Sequence, residues 1–229
     1  MPVPATVTTA RRGRRVTTPT APLPTREVIL DTAERLFARH GVDGVAVRDL
    51  AREMDLTAPS LYNHFPSKQA LYDAVLERGL HPLVQLISEA WQPGGLRPDH
   101  VRRTVERMLA HLAQHPHLAR LLQRALLEEG GNAQELIARW VSPLYREGFA
   151  VIRETAGGAG WRSDELPHVA LGLFGMVFAY FTNTAALASI APDIDPLSTR
   201  ALGIQRRFLE KAIYRLLGPQ GRRTHASAG

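Results

Sequence analysis

Hydrophobic residues recur along this chain at helical spacing almost throughout, with no sustained alternation of the kind that predicts a strand. Ile29, Ala33 and Phe37 fall on one face and predict a first helix that starts near Thr25. Gly41 is expected to end it, because glycine adopts the left-handed conformation of a helix terminus at little cost. The pattern therefore predicts an all-α fold.

Three further helices are predicted directly after the first. Val47, Leu50 and Met54 lie on one stripe and predict a short second helix. Thr57 carries a hydroxyl that can cap a third helix, and a fourth is expected to follow Ser67. Two short helices joined by a tight turn and braced by neighbours are typical of a helix-turn-helix unit.

Longer amphipathic helices, separated by breaks rich in proline and glycine, are predicted for the rest of the chain. We place a domain boundary near residue 80. The predicted parts are an N-terminal helix-turn-helix domain and a larger helical domain, at residues 25–80 and 81–217. Residues 1–24 and 218–229 are predicted to be a disordered basic arm and a disordered tail.

The third predicted helix has one apolar and one polar side. Helical spacing turns Leu61 and Phe65 inward, four residues apart. The outward positions are rich in side chains that form hydrogen bonds: Ala58, Ser60, Tyr62, Asn63 and His64. This composition favours a helix that reads DNA.

Net charge changes this picture only modestly. The chain carries a formal charge of +6, but residues 25–80 hold nine acidic against seven basic side chains. Bulk charge thus supports nucleic-acid binding only through the arginines of the arm. The chain has no cysteine, which excludes disulfides and thiolate metal sites and fits a cytoplasmic location.

One uncharged stretch, from Val169 to Ile190, is about as long as a membrane-spanning helix. It is interrupted by Gly172 and Gly175, contains a polar cluster at 182–184, and lacks a flanking lysine or arginine cluster. We therefore predict a buried or dimer-interface helix rather than a membrane span.

The run Leu61-Tyr62-Asn63-His64-Phe65-Pro66-Ser67-Lys68-Gln69-Ala70-Leu71 is similar to the LYxHFxxKxxL signature of TetR-family regulators. The segments 33–37 and 47–51 agree with the family at matching distances. The region from Thr25 to Leu80 therefore resembles the DNA-binding domain of that family.

This resemblance implies that Tyr62, His64 and Lys68 hold phosphates. It also implies that several other side chains face base edges: Arg48, Ala58, Ser60 and Asn63. With Thr57, these residues form the predicted DNA-binding set. The chain departs from the family at Ala46, where a serine or threonine usually caps the second helix, and this puts one phosphate contact in doubt.

The resemblance further implies a helical sensor that dimerises through its last two long helices, which the pattern places at 164–190 and 197–217. The predicted dimer contacts are Gly172, Gly175, Ala179, Phe208 and Ile213. The side chains expected to line an apolar effector pocket are Met108, Trp140, Tyr145, Phe174 and Phe178.

The expected function is that of a cytoplasmic, homodimeric repressor that a small apolar effector releases from a palindromic DNA operator, without a cofactor or metal. One alternative is an activator of the same architecture. A second is a helical metal-dependent enzyme built on His111 and His115, although the chain lacks a nucleophile elbow, a phosphate loop and an HExxH pair. A helical scaffold that binds only protein is a third.

Overall fold

The computed structural model describes residues 26–90, 97–127 and 161–217, together with positions 135, 137–143, 145, 146 and 148. All regular elements within these described residues are helices, so the predicted all-α class is confirmed. The predicted arm at 1–24 and the predicted tail at 218–229 lie outside the described residues.

Four helices make up the N-terminal part, and all four were predicted. They are α1 (Arg26–His40), α2 (Val47–Glu53), α3 (Ala58–His64) and α4 (Lys68–Ala90). Gly41 ends α1 with a φ of 75°, as its position predicted.

The core of this part is formed by the apolar face of α1. Ile29, Leu30 and Phe37 are fully buried, and the Phe37 ring meets the Tyr72 ring of α4 edge to face at 5.6 Å. Full burial of such a side chain contributes roughly 1.5–3 kcal/mol. The packed pair α1 and α4 therefore forms the core that supports the short helices α2 and α3.

Helix α4 does not end near residue 80. It continues to Ala90 with Pro82 inside it. A proline in a helix interior costs about 3 kcal/mol, but buried Leu80, Leu83 and Leu86 flank this one and offset that cost. The boundary predicted near residue 80 thus falls within a helix that both parts of the chain share.

The described residues of the C-terminal part form further helical elements. They are α5 (Pro98–Gln114), α6 (Leu118–Leu127), a π-helical turn (Ile137–Val141), α7 (Leu166–Thr182), α8 (Thr184–Ile190) and α9 (Thr199–Leu217). The helix predicted at 197–217 is confirmed as α9.

The prediction of one continuous helix at 164–190 is wrong, because α7 and α8 meet at a bend of 73°. At the bend the Asn183 amide and the Thr182 hydroxyl donate to the carbonyls of Ala179 and Phe178. Such side-chain bonds compete with the backbone ladder. No single helix of the described ranges has the length and hydropathy to cross a bilayer; only α7 and α8 taken together pass that test.

The two parts of the chain share one hydrophobic core. Leu118, Leu121 and Leu122 of α6 are buried against the N-terminal helices. The approach is close at Gly79 of α4, where an added Cβ would lie 2.3 Å from Leu118 Cδ1. A side chain at residue 79 would force Leu118 to move, so α6 packs closely against α4 at this point.

Candidate nucleic-acid interface

Helix α3 begins with the cap that its sequence predicted. Thr57 is extended, with φ −88° and ψ 153°, and its Oγ1 accepts a hydrogen bond from the Ser60 amide at 3.3 Å. The Thr57 and Ser60 hydroxyls lie 3.0 Å apart and share a second bond. This cap contributes about 1 kcal/mol and fixes where the short helix starts.

The apolar side of α3 anchors it to the rest of the domain. Leu61 and Phe65 are 2% and 4% exposed. The Arg26 guanidinium at the start of α1 lies 5.1 Å from the centre of the Phe65 ring, in a cation–π contact. A helix of two turns is too short to be stable alone, so these contacts determine its orientation.

The opposite side of α3 is polar and open to solvent. Tyr62 is 47% exposed, and Asn63 and His64 are also exposed. None of these three side chains forms a hydrogen bond with another residue in the part of the chain that the structure describes. A phenol, an amide and an imidazole are therefore free to bind an external partner, while Ala58 and Ser60 beside them are half-buried.

Helix α2 adds one more polar side chain to this surface. Arg48, in its first turn, is exposed and forms no hydrogen bond with another described residue. Ala46 precedes the helix in an extended conformation and makes no side-chain cap, as its sequence predicted.

Lys68 has a structural contact that the sequence did not predict. Its ammonium group donates to the carbonyl oxygens of Val42 and Val45, at 2.7 and 3.2 Å. These bonds tie the start of α4 to the turn between α1 and α2. An ammonium group has three N–H donors, so one remains for a phosphate.

The predicted histidine pair lies at the junction of the two parts of the chain, away from α3. His111 Nε2 is 2.9 Å from the Gly79 carbonyl oxygen, and His115 Nδ1 is 3.3 Å from Glu34 Oε2. Burial, more than any neighbouring charge, lowers the pKa of His111. Among the described residues, no cluster of three or more potential ligands is suited to a metal ion.

A buried ion-pair network surrounds this pair, and sequence reasoning missed it. Glu34 is 3% exposed and accepts a hydrogen bond from Arg78 at 2.8 Å. Burial alone would raise the pKa of Glu34, but His115 and Arg78 more than offset this effect and lower it. One signal was available: Glu34 lies on the same face of α1 as the apolar Leu30 and Phe37.

The predicted dimer residues lie mostly on an open face of α7 and α9. A Cβ added at Gly172 or Gly175 would meet nothing within 4 Å. Ala179 is exposed and Phe208 is 50% exposed. Ile213 differs, because it is half-buried and packs against hydrophobic residues of its own chain.

The predicted effector residues are only partly brought together. Phe174 and Phe178 stack with ring centres 4.2 Å apart. Met108 and Phe178 belong to the main hydrophobic core. Trp140 instead lies against α4, with its ring 6.0 Å from that of His81. Tyr145 is half-buried, and burial raises the pKa of its hydroxyl.

Comparison with known protein families accounts for both parts of the chain. Residues 29–75 match the family described as bacterial regulatory proteins of the tetR family. Residues 98–218, more than half of the chain, match the C-terminal domain of the HTH-type transcriptional dual regulator CecR. The chain belongs to the TetR family. This confirms the resemblance found in the α3 region, and it places the chain among DNA-binding transcription regulators, which are not enzymes.

Individual relatives agree with this assignment. A transcriptional repressor from Streptomyces coelicolor is 30% identical over 101 residues, which are 44% of this chain and 49% of the repressor. The class D tetracycline repressor protein of Escherichia coli is 35% identical over 71 residues, 29% of this chain and 33% of that protein. The matches thus span half or less of the length of both relatives.

A solved structure shows the same fold over a longer stretch. The structure of Mycobacterium smegmatis AmtR covers 91% of this chain and 91% of its own, with a TM-score of 0.60 and 22% identity. Members of the TetR family typically bind DNA and small-molecule effectors as dimers.

Proposed function

We propose that this TetR-family chain is a cytoplasmic, ligand-responsive repressor that binds a palindromic DNA operator as a homodimer and leaves it when a small apolar effector binds. The observation that carries the proposal is the polar side of α3. Tyr62, Asn63 and His64 are exposed and make no side-chain hydrogen bond to another described residue, while Leu61 and Phe65 anchor the opposite side of the helix.

Two kinds of DNA contact follow from the chemistry of these side chains. Tyr62, His64 and the remaining N–H of Lys68 can donate to phosphates, which set register but do not distinguish sequences. Arg48 and Asn63 can read bases, since arginine forms paired hydrogen bonds with guanine and asparagine with adenine. Thr57, Ala58 and Ser60, at the start of α3, complete the proposed interface, with Ala58 limited to apolar contact.

Dimerisation follows from the apolar surface of α7 and α9. Leu171, Ile204 and Phe208 are 64%, 43% and 50% exposed. Gly172 and Gly175 leave open space beside them, so the backbone of a second α7 can approach closely. Two copies joined here would present two α3 helices to half-sites one helical turn apart, about 34 Å on B-form DNA.

The effector is proposed to bind beside the stacked rings of Phe174 and Phe178 on α7. Phe178 and Met108 belong to the main hydrophobic core and Phe174 packs against it, so a ligand that inserts here must displace core side chains. Because α6 packs on both α7 and α1, such a displacement reaches the helix-turn-helix unit. An apolar ligand is favoured, since the surroundings are apolar.

The proposal is tested by selecting duplexes from a randomised pool with the purified protein and with Asn63→Ala. The wild-type protein is expected to select a palindrome. The variant is expected to lose preference at one base pair of each half-site, at a cost of roughly 1–3 kcal/mol per contact. Arg102→Gln, an exposed change on α5, is the control and should select the wild-type site. Selection of no palindrome would refute the proposal.

A further inference from the structure

A shallow cleft, widely open to solvent, lies between α1 and α6. The cleft has a volume of about 390 Å³, within the usual range for sites that bind small ligands. Its walls are the last turn of α1 and one side of α6, and its lining residues are Ala38, Arg39, Arg120, Gln123, Arg124 and Leu127.

The charge of this cleft is entirely positive among its lining residues. Arg39 and Arg120 are exposed, and within the described ranges neither makes a hydrogen bond or ion pair. Arg124 packs against Gly41, where an added Cβ would meet its Nε at 2.8 Å, and its Nη2 donates to the His40 carbonyl oxygen at 3.4 Å. Two guanidinium groups therefore face the cleft with unused donors.

Two acidic side chains of α1 and α2 are paired with arginines that do not line the cleft. Glu34 is bound to Arg78, and Glu53 is paired with Arg35. His117, at the start of α6, lies among charges of both signs. Burial lowers its pKa, the charge of Glu34 raises it, and the charges of Arg120, Arg35 and Arg39 lower it.

We propose that the α1–α6 cleft binds a small organic anion, a phosphate or carboxylate group with a short apolar tail. A guanidinium group matches either oxyanion with two parallel hydrogen bonds, and Arg39 and Arg120 supply two such groups. Leu127, 75% exposed at the rim, and Ala38, buried at the base, offer apolar surface to the tail.

The cleft joins the two parts of the chain. Its α1 wall belongs to the helix-turn-helix unit, and its α6 wall belongs to the part matched by the C-terminal family model. A bound anion therefore bridges the two. This site is distinct from the residues assigned above to DNA, to the dimer and to the apolar effector, and it does not depend on that proposed function.

The test is isothermal titration calorimetry of the full-length protein with three probes: hexyl phosphate, inorganic phosphate and 1-hexanol. Hexyl phosphate is expected to bind saturably and more tightly than inorganic phosphate, and hexanol is expected not to bind. The double variant Arg39→Gln/Arg120→Gln should lose at least about tenfold in affinity for hexyl phosphate, because hydrogen bonds to charged groups are lost.

Two further variants make the result specific. The control Arg102→Gln/Arg103→Gln removes the same charge from the exposed side of α5 and should bind hexyl phosphate as the wild-type protein does. Leu127→Ala should weaken hexyl phosphate roughly threefold, since a small apolar contact is removed, and should leave inorganic phosphate unchanged. If Leu127→Ala weakens the binding of hexyl phosphate more than that of inorganic phosphate, the ligand is an organic anion rather than free phosphate.

Several results would overturn the proposal. One is the absence of saturable binding of hexyl phosphate to the wild-type protein. Equal losses of hexyl phosphate affinity in the Arg39/Arg120 variant and in the Arg102/Arg103 control would show that net charge, not the cleft, determines binding. A further such result is that the wild-type protein binds none of the three probes, while the Arg39/Arg120 variant loses affinity, relative to the wild-type protein, only for long DNA duplexes. In that case the arginines contact DNA that flanks the operator.

Discussion

Lys68 allows a structural and a DNA-binding contribution to be measured on one side chain. Its ammonium group donates to the carbonyl oxygens of Val42 and Val45, and its third donor is proposed to reach a phosphate. Lys68→Met keeps the length and the apolar stem of the side chain but removes the charge and all three donors. Lys68→Arg, the control, keeps the charge.

The expected loss of stability follows from the two internal bonds. A hydrogen bond to a charged group contributes about 1.5–3 kcal/mol, and this side chain is only half-buried, so solvent screening reduces the value. Loss of both bonds is therefore expected to lower the free energy of unfolding by about 2 kcal/mol. With a urea slope of about 2 kcal/mol/M, the unfolding midpoint falls by about 1 M.

The DNA contribution is measured by the salt dependence of binding. Each phosphate contact contributes about 0.9 to the slope of log K against log salt concentration. A dimer carries two copies of Lys68, so Lys68→Met is expected to reduce the magnitude of that slope by about 1.8. Tyr62→Phe should weaken binding without changing the slope, because a neutral group is removed.

The structural and the DNA-binding contributions of Lys68 can be refuted separately. An unchanged urea midpoint for Lys68→Met would show that the carbonyl bonds make no net contribution to stability. A lower midpoint with an unchanged salt slope would leave Lys68 as a structural residue and remove it from the proposed phosphate contacts.

Three further perturbations test the packing and the proposed dimer. Gly79→Ala places a Cβ 2.3 Å from Leu118 Cδ1 and should lower the free energy of unfolding by about 1–3 kcal/mol. The double variant Gly79→Ala/Leu118→Ala should lose less than the sum of the two single variants; full wild-type stability of Gly79→Ala would contradict the close contact. Glu34→Gln removes a buried partner of Arg78 and should cost about 3 kcal/mol at neutral pH by chemical denaturation. The pKa of Glu34 is lowered in the folded state. The difference in the free energy of unfolding between the wild-type protein and Glu34→Gln should therefore be largest above pH 4.5 and shrink as the pH falls through the folded pKa. A difference that grows in acid would contradict this. Phe208→Asp should give a folded monomer by sedimentation that binds DNA weakly, and an intact dimer would refute the α7–α9 interface.

Local signals were sufficient to predict α3 and its neighbours. The Thr57 cap, the inward pair Leu61 and Phe65, and the glycine stop at 41 each act within a few residues, so the sequence carries them directly. The family motif covers the same region, which is why the polar side of α3 could be predicted together with its fold.

Features that depend on distant contacts were not predicted. Glu34 meets Arg78 and His115 across 44 and 81 residues, and no local pattern specifies such a pairing. A domain boundary was predicted near residue 80, but α4 continues through Pro82, which buried leucines flank on either side. The bend at Asn183 arises from side-chain hydrogen bonds that periodicity does not register.

Helix α4 begins beside the turn that supports α3 and ends, 23 residues later, among the C-terminal helices. At 1.5 Å per residue it is about 35 Å long, so a tilt of about 5° at the far end moves its first residue by about 3 Å. A hydrogen bond to a base edge tolerates a few tenths of an ångström. A rearrangement of the C-terminal helices that tilts α4 by only a few degrees would therefore displace the start of α4, beside α3, by more than the proposed base contacts tolerate.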